Sequence, residues 1–140
     1  MPGLVLGLDH HCHLDDPDVD GPALLLALQQ LVGWQGSLIA GYGPERFGAS
    51  RRLCQATPQI VRAVGLHPYW LAEHQAQPEQ MDSAGTMLQA ELSAQGVVAI
   101  GETGLDKTRR DLLDLDQQLV WFGRHLALAR QHNLPLVLHV

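Results

Sequence analysis

Alternation constrains this chain more than any other feature. Five short aliphatic runs are separated by four longer stretches with helical periodicity. The runs are Leu4–Asp15, aliphatic at first and polar from Asp9, then Ser37–Gly41, Ile60–His67, Val97–Gly101 and Leu136–Val140. Each is too short for a buried helix and is bounded by turn residues, which is the pattern of a strand covered on both faces. Between them lie Pro22–Val32, with leucines at 24, 25, 28 and 31 and Gly33 as a stop, and Pro44–Ala56, closed by Thr57-Pro58. Gln80–Gln95 carries Met81, Ala84, Met87, Leu88 and Leu92 at helical spacing and ends at Gly96. Asp116–His132 places Leu119, Val120, Phe122, Leu126 and Ala129 on an inner side, and Asp106–Asp114 before it reads as a charged loop. Strand and helix in strict turn predict a parallel sheet with right-handed crossovers.

The strand ends carry the chemistry. Side chains alternate along a strand, so Asp9, His11 and His13 project to one side while His10 and Cys12 project to the other. Two imidazoles two residues apart on one face can reach a single cation, although a pair of surface or capping histidines has the same spacing. His67 closes the third run, Glu102 follows the fourth, and His139 ends the fifth. In a parallel barrel all strand carboxyl ends meet at one face, which makes these residues neighbours. Parity predicts that Val98, Ile100 and Glu102 form one inward row, that Val61, Ala63 and Gly65 lie beneath His67, and that Val137 shares a face with His139. His74, His125 and His132 fall on or near helices and read as solvated or capping. Arg109 and Arg110 could reach a phosphate, but a charged loop is more often only solvated.

Composition sets bounds on partners. The 140 residues allow one domain with a real core, and 15 acidic against 9 basic residues exclude a broad cationic surface for nonspecific nucleic-acid binding. Cys12 and Cys54 make neither a disulfide framework nor a paired zinc motif, and no basic leader or membrane-length apolar run is present. A cytoplasmic location without membrane partners is the expectation.

Four segments together resemble the TatD family of metal-dependent deoxyribonucleases, within the amidohydrolase-like barrel enzymes. They are Asp9-His10-His11-Cys12-His13-Leu14-Asp15, Gly65-Leu66-His67-Pro68, Ala99-Ile100-Gly101-Glu102-Thr103-Gly104-Leu105-Asp106 and Leu134-Pro135-Leu136-Val137-Leu138-His139. They stand in the family's order across nearly the whole chain, and Leu126-Ala127-Leu128-Ala129-Arg130 is similar to the helix before the family's metal-binding His. The resemblance implies two divalent metal ions, with His11 and His13 on one, Glu102 bridging both, and His139 on the second. It implies that His67 contacts a substrate phosphate. Asp106 matches the family's Gly-Leu-Asp as a substrate-binding residue, with a loop-capping carboxylate as the equal alternative. Paired ions about 3.5 to 4 Å apart can hold a phosphodiester, activate water and offset leaving-group charge, so DNA or another phosphodiester is the implied substrate. Imidazole with carboxylate suits zinc or manganese, while the family is associated with magnesium.

A complete barrel has eight strands and about 250 residues, so the expectation here is a partial TIM (β/α)8 barrel of five parallel strands with the carboxyl-terminal strands missing. The family's later His and Asp ligands have no counterpart in these residues, nor does the arginine that follows its fifth-strand His. A partial sequence, a truncated product and a half-barrel completed by self-association through open sheet edges are the three explanations weighed. Two other functions remain open. One is an amidohydrolase acting on a cyclic amide or ester, although many of those bridge their metals with a modified lysine where this chain has Glu102. The other is a non-catalytic metal-binding fragment.

Overall fold

The structure, a computed structural model, describes residues 7–140, so Leu4, Val5 and Leu6 of the first aliphatic run lie outside the described residues. Its strands are β1 (Gly7–Cys12), β2 (Trp34–Ile39), β3 (Ile60–Val64), β4 (Val97–Gly104) and β5 (Leu136–His139). They form one sheet in the order β1-β2-β3-β4-β5, every neighbouring pair parallel. Helices α1 (Gly21–Gln29), α2 (Pro44–Ala56), α3 (Pro68–His74), α4 (Pro78–Glu91) and α5 (Leu115–His132) lie in the crossovers, and Lys107–Arg109 makes a 3-10 turn. Sequence order equals spatial order, which is the winding of a barrel wall rather than of an open doubly wound sheet. The five-stranded parallel half-barrel expected from the alternation is therefore present. Among the described residues no helix is long and apolar enough to cross a membrane.

Local chemistry explains several boundaries. Asp20 caps α1 by accepting from Ala23 N at 3.0 Å, and Asp114 caps α5 by accepting from Gln117 N at 2.8 Å. Asn133 ends α5 in the left-handed conformation, φ 52°. α1 stops at Gln29, short of Val32, and Gly33 with φ 94° instead turns the chain into β2. α4 runs from Pro78 to Glu91, two residues earlier at its start and four at its end than its periodicity suggested. α3 is a helix that the sequence did not announce.

The buried faces also differ from the apolar patterns. Of the leucines at 24, 25, 28 and 31 only Leu25 is buried; Leu24 is exposed, and Leu31, also exposed, lies beyond the end of α1. α5 buries Gln118, Trp121, His125 and Ala129, leaving Leu119, Val120 and Leu126 exposed. Hydrophobicity alone misplaces that face because Gln118 and His125 have all their polar atoms paired inside it. β1 is exposed along the described run instead of covered on both faces, since β1 and β5 are the two edges of the sheet.

Two apolar clusters fill the space between sheet and helices. Leu14, Leu25, Ile39, Leu53, Cys54 and Ile60 join β2 and β3 to α1 and α2. The larger cluster gathers Val64 and Ile100 against Trp70, Leu88 and Trp121 on α3, α4 and α5. Ile100 thus faces the helices while Val98 is 37% exposed, so the expected inward row of Val98, Ile100 and Glu102 does not form. Register shifts at Arg62/Ala63 and Gly101/Thr103 break the alternation, and the second lies beside Glu102. Bulges of this kind re-aim a side chain next to an active site.

Candidate active site

Glu102 stands at the centre of a cleft of about 330 Å3 lined by His11, His13, Asp16, Tyr42, Arg46, His67, Tyr69, Glu102 and His139. Its delivery depends on small residues below it. A Cβ on Gly41 would lie 2.1 Å from Gly101 O, and one on Gly101, whose φ is +136°, would lie 2.3 Å from Val137 O. With no side chains there, Gly41 N donates to Gly101 O and Glu102 N donates to Gly41 O, both at 3.1 Å. The strand ends close together, and Glu102 emerges above them.

Each Glu102 oxygen meets a different imidazole set. Oε2 lies 3.0 Å from His11 Nε2, while Oε1 lies 2.8 Å from His139 Nδ1 and 3.5 Å from His67 Nε2. The His11 and His13 rings are edge to face at 5.1 Å, the proximity their spacing predicted. Burial works to raise the Glu102 pKa, but the bonds from His67 and His139 and the neighbouring imidazoles outweigh it and bring it down to about 2. Desolvation, with His11 beside it, lowers the pKa of His13. Two sets of donor atoms, His11/His13/Glu102 and His67/Glu102/His139, each lie within 4.8 Å of one another. Mixed imidazole and carboxylate donors at that separation fit a divalent transition metal.

His67 differs from the other imidazoles in its tautomer. It caps α3, and its Nδ1 accepts from Tyr69 N at 3.0 Å. An accepting Nδ1 leaves the proton of the neutral ring on Nε2, which then points at Glu102 as a donor rather than as a free lone pair. His139 has the opposite character. Its Nε2 lies 2.8 Å from Asp106 Oδ2, so a donated Nε2–H leaves Nδ1 on the Glu102 side available to a cation. Asp106 has its other oxygen occupied by Thr108 N and Thr108 Oγ1. The Thr108 hydrogen bonds lead, against some desolvation, in bringing its pKa to about 2. Both Asp106 oxygens therefore serve the loop and His139, which favours the capping alternative over direct contact with substrate.

Tyr42, Tyr69, Asp16 and Arg46 line the cleft without having been singled out in the sequence. Tyr42 stacks on His67 at 5.3 Å, and Tyr69 meets the edges of His67 at 4.9 Å and His139 at 5.6 Å. The signal that could have found them is position. Tyr42 closely follows the second strand as His67 follows the third, and Tyr69 begins the turn after His67-Pro68. His10 is exposed, and Cys12 and Cys54 are free thiols. His74 stacks on Trp70 at 4.2 Å, and His132 is exposed, both away from the cleft lining. His125 is neither solvated nor a cap. It is fully buried, accepting from Leu66 N at 2.9 Å and donating to Trp121 O at 2.8 Å, because the core supplies a partner for each nitrogen.

A parallel β/α wall that brings imidazoles and a central carboxylate to its strand ends has the layout of the barrel-type metal-dependent hydrolases. The family model for TatD related DNase matches residues 8–140, and the chain belongs to that family. It is 32% identical over 136 residues to the uncharacterized metal-dependent hydrolase YjjV of Escherichia coli K12, covering 94% of this chain and 49% of that protein. It is 35% identical over 109 residues to the 3'-5' ssDNA/RNA exonuclease TatD of Pantoea vagans, covering 77% of this chain and 39% of that protein. The crystal structure of E. coli YjjV superposes with a TM-score of 0.77 at 28% identity, over 94% of this chain and 49% of that one. A TatD family hydrolase from Entamoeba histolytica, at 19% identity and a TM-score of 0.75 over 99% of this chain and 51% of that one, shares the fold. The chain spans about half the length of these relatives or less.

Proposed function

We propose that this chain carries the metal centre of a nuclease that hydrolyses phosphodiester bonds in single-stranded DNA or RNA. The observation that carries the reading is the Glu102 carboxylate, each of whose oxygens faces a different imidazole set. His11 and His13 would hold one divalent ion, His139 the other, and Glu102 both. Such ions supply Lewis acidity that offsets phosphate charge and lowers the pKa of water.

The chain's own residues do the rest. Glu102 stays ionised across the physiological range because its pKa lies near 2, so it keeps a full negative charge facing both imidazole sets. His67, protonated at Nε2, donates a hydrogen bond to a phosphate oxygen and so holds the substrate rather than a metal. Asp106 orients His139 through Nε2 and fixes which nitrogen faces the cleft. Burial first, then Glu73 beside it, pushes the Tyr42 phenol up to about 12, so Tyr42 presents a neutral ring to the cleft. The relative named for ssDNA/RNA exonuclease activity supports the substrate class. Against a modified-lysine bridge, the sole lysine of the sequence is Lys107, on the loop after β4.

The test compares the protein in its full natural length with Glu102→Gln, which keeps the side-chain size and removes the charge. Calorimetric titration with manganese or zinc, and release of nucleotides from single-stranded DNA, should both be lost in the variant. Metal-supported hydrolysis that survives Glu102→Gln undiminished would remove the proposal. Tight metal binding without hydrolysis of any phosphodiester would replace it with a non-catalytic metal module.

A further inference from the structure

Three of the nine cations in this acidic chain fall within four residues, Lys107, Arg109 and Arg110. They follow directly on Asp106, which is tied to His139 at 2.8 Å, so the basic turn lies at the rim of the cleft. Within it Arg109 is held in a defined place. Its Cζ sits 3.7 Å above the centroid of Tyr69, the ring that walls the cleft and touches both His67 and His139. Its Nε is buried and has no hydrogen-bond partner among the described residues.

Arg46 also lies over a cleft tyrosine, Tyr42, at 4.1 Å, but its charge is matched by Asp16 at 3.1 Å. Arg51 and Arg62 are matched by Glu91. Arg109 has a half-buried side chain over the Tyr69 ring, an unpaired Nε–H, and no carboxylate within ion-pair distance among the described residues. A guanidinium held over a ring is pre-organised, and its terminal amino groups are left for an oxyanion. An exposed arginine of a merely solvated loop has no need of that arrangement.

We propose that Arg109, seated on Tyr69, is the contact for the substrate phosphate neighbouring the one at Glu102, with Lys107 and Arg110 continuing the track along the strand. The inference rests on the phosphodiesterase reading above and deepens it, giving that site a polarity: the polynucleotide leaves the cleft across Tyr69 toward the turn after β4. In a protein of negative net charge, this local track supplies the attraction for an anionic polymer that the overall surface does not.

The experiment uses the full natural length of the protein and a short fluorescent oligothymidylate, with dissociation constants taken by anisotropy over a salt series. One phosphate contact to a single strand adds about 0.7 to the slope of log affinity against log salt, or roughly fivefold in affinity at about 0.1 M salt. Arg109→Ala should lose that fivefold and flatten the slope by about 0.7. Arg109→Lys should recover the slope, because the charge returns, but only part of the affinity, because the stacked fork does not. Arg130→Ala, which removes a charge from the far end of α5, serves as the control for net charge. An Arg109→Ala slope equal to the parent's, or an equal flattening in Arg130→Ala, would overturn the proposal. Hydrolysis of bis(p-nitrophenyl) phosphate by the parent is measured in parallel, since that diester has no neighbouring phosphate. Its hydrolysis together with an unaltered Arg109→Ala slope would remove the Arg109 contact alone. No metal-supported hydrolysis of it or of the oligonucleotide would remove the nuclease reading and this inference together.

Discussion

His125 ties the stability of this fold to pH through a group outside the cleft. Its two hydrogen bonds, from Leu66 N and to Trp121 O, require a neutral ring with the proton on Nδ1. Burial lowers its pKa from the ordinary 6.5 to about 4, the Trp121 carbonyl opposing only part of that shift. Above pH 6.5 the ring is neutral in both folded and unfolded chains, and the contribution of His125 to stability is complete. As the pH falls from 6.5 to about 4 the unfolded chain takes up a proton that the folded one refuses, and stability drains away. At about 1.4 kcal/mol per pH unit the loss over that window is about 3 kcal/mol. The comparison that isolates it is His125→Ala, which leaves the Leu66 N–H without a partner and opens a ring-sized cavity, while the Trp121 carbonyl keeps its backbone partner within α5. One orphaned donor at about 1 to 3 kcal/mol and a cavity cost of about 2 kcal/mol place the variant about 4 kcal/mol below the parent at pH 7. Urea unfolding followed by tryptophan fluorescence suits the measurement, because Trp70 and Trp121 share the larger core cluster. The stability difference between parent and variant should shrink from about 4 kcal/mol at pH 7 to about 1 kcal/mol at pH 4. A difference that stays constant over that range would mean the folded chain binds the proton as readily as the unfolded one, and would refute the neutral-ring assignment.

Glu91 pairs with the fully buried Arg62 at 2.6 Å and with Arg51 at 2.5 Å. Glu91→Ala strands the Arg62 cation in the core and should cost about 3 to 5 kcal/mol in urea unfolding; a loss below about 1 kcal/mol, typical of a surface ion pair, would show that water reaches the cation. Asp106→Asn keeps the shape of the loop cap but removes the charge behind His139, so divalent-cation affinity by calorimetric titration should fall roughly 10- to 100-fold. An affinity equal to the parent's would separate Asp106 from the metal site.

The features legible in the sequence were those set by periodicity and by strand-end position. Parallel strands follow from the β/α alternation, and His11, Glu102 and His139 meet because each lies at the carboxyl end of its strand. α3 was not legible because Pro68–His74 is too short for an apolar repeat to emerge, and its cap is a histidine that reads as a site residue first. The inner face of α5 was misread because apolar rank does not reveal that Gln118 and His125 can each satisfy every polar atom within the core. The parity of β4 failed at two register shifts, one opposite Arg62 and Ala63 and one beside Glu102, which leave no mark in a two-residue repeat. Tyr42 and Tyr69 were passed over because an aromatic near a strand end looks like core until its neighbours are imidazoles.

Those misread residues of α5 share a purpose. Gln118 grips the Asp106 backbone from both sides, its Oε1 accepting from Asp106 N at 2.7 Å and its Nε2 donating to Asp106 O at 3.0 Å. Asp106 in turn holds His139. Two turns further along the same helix, His125 holds Leu66 N, the residue before His67. One helix behind the sheet therefore sets two imidazoles that belong to different strands, and it does so with hydrogen bonds, whose direction is specific, where apolar contacts would fix only distance. A leucine in place of Gln118 would raise the apolar character of the helix and leave Asp106 N–H and Leu113 O without the partners Gln118 gives them. The buried polar face of α5 is best understood as part of the site, one layer removed from its chemistry.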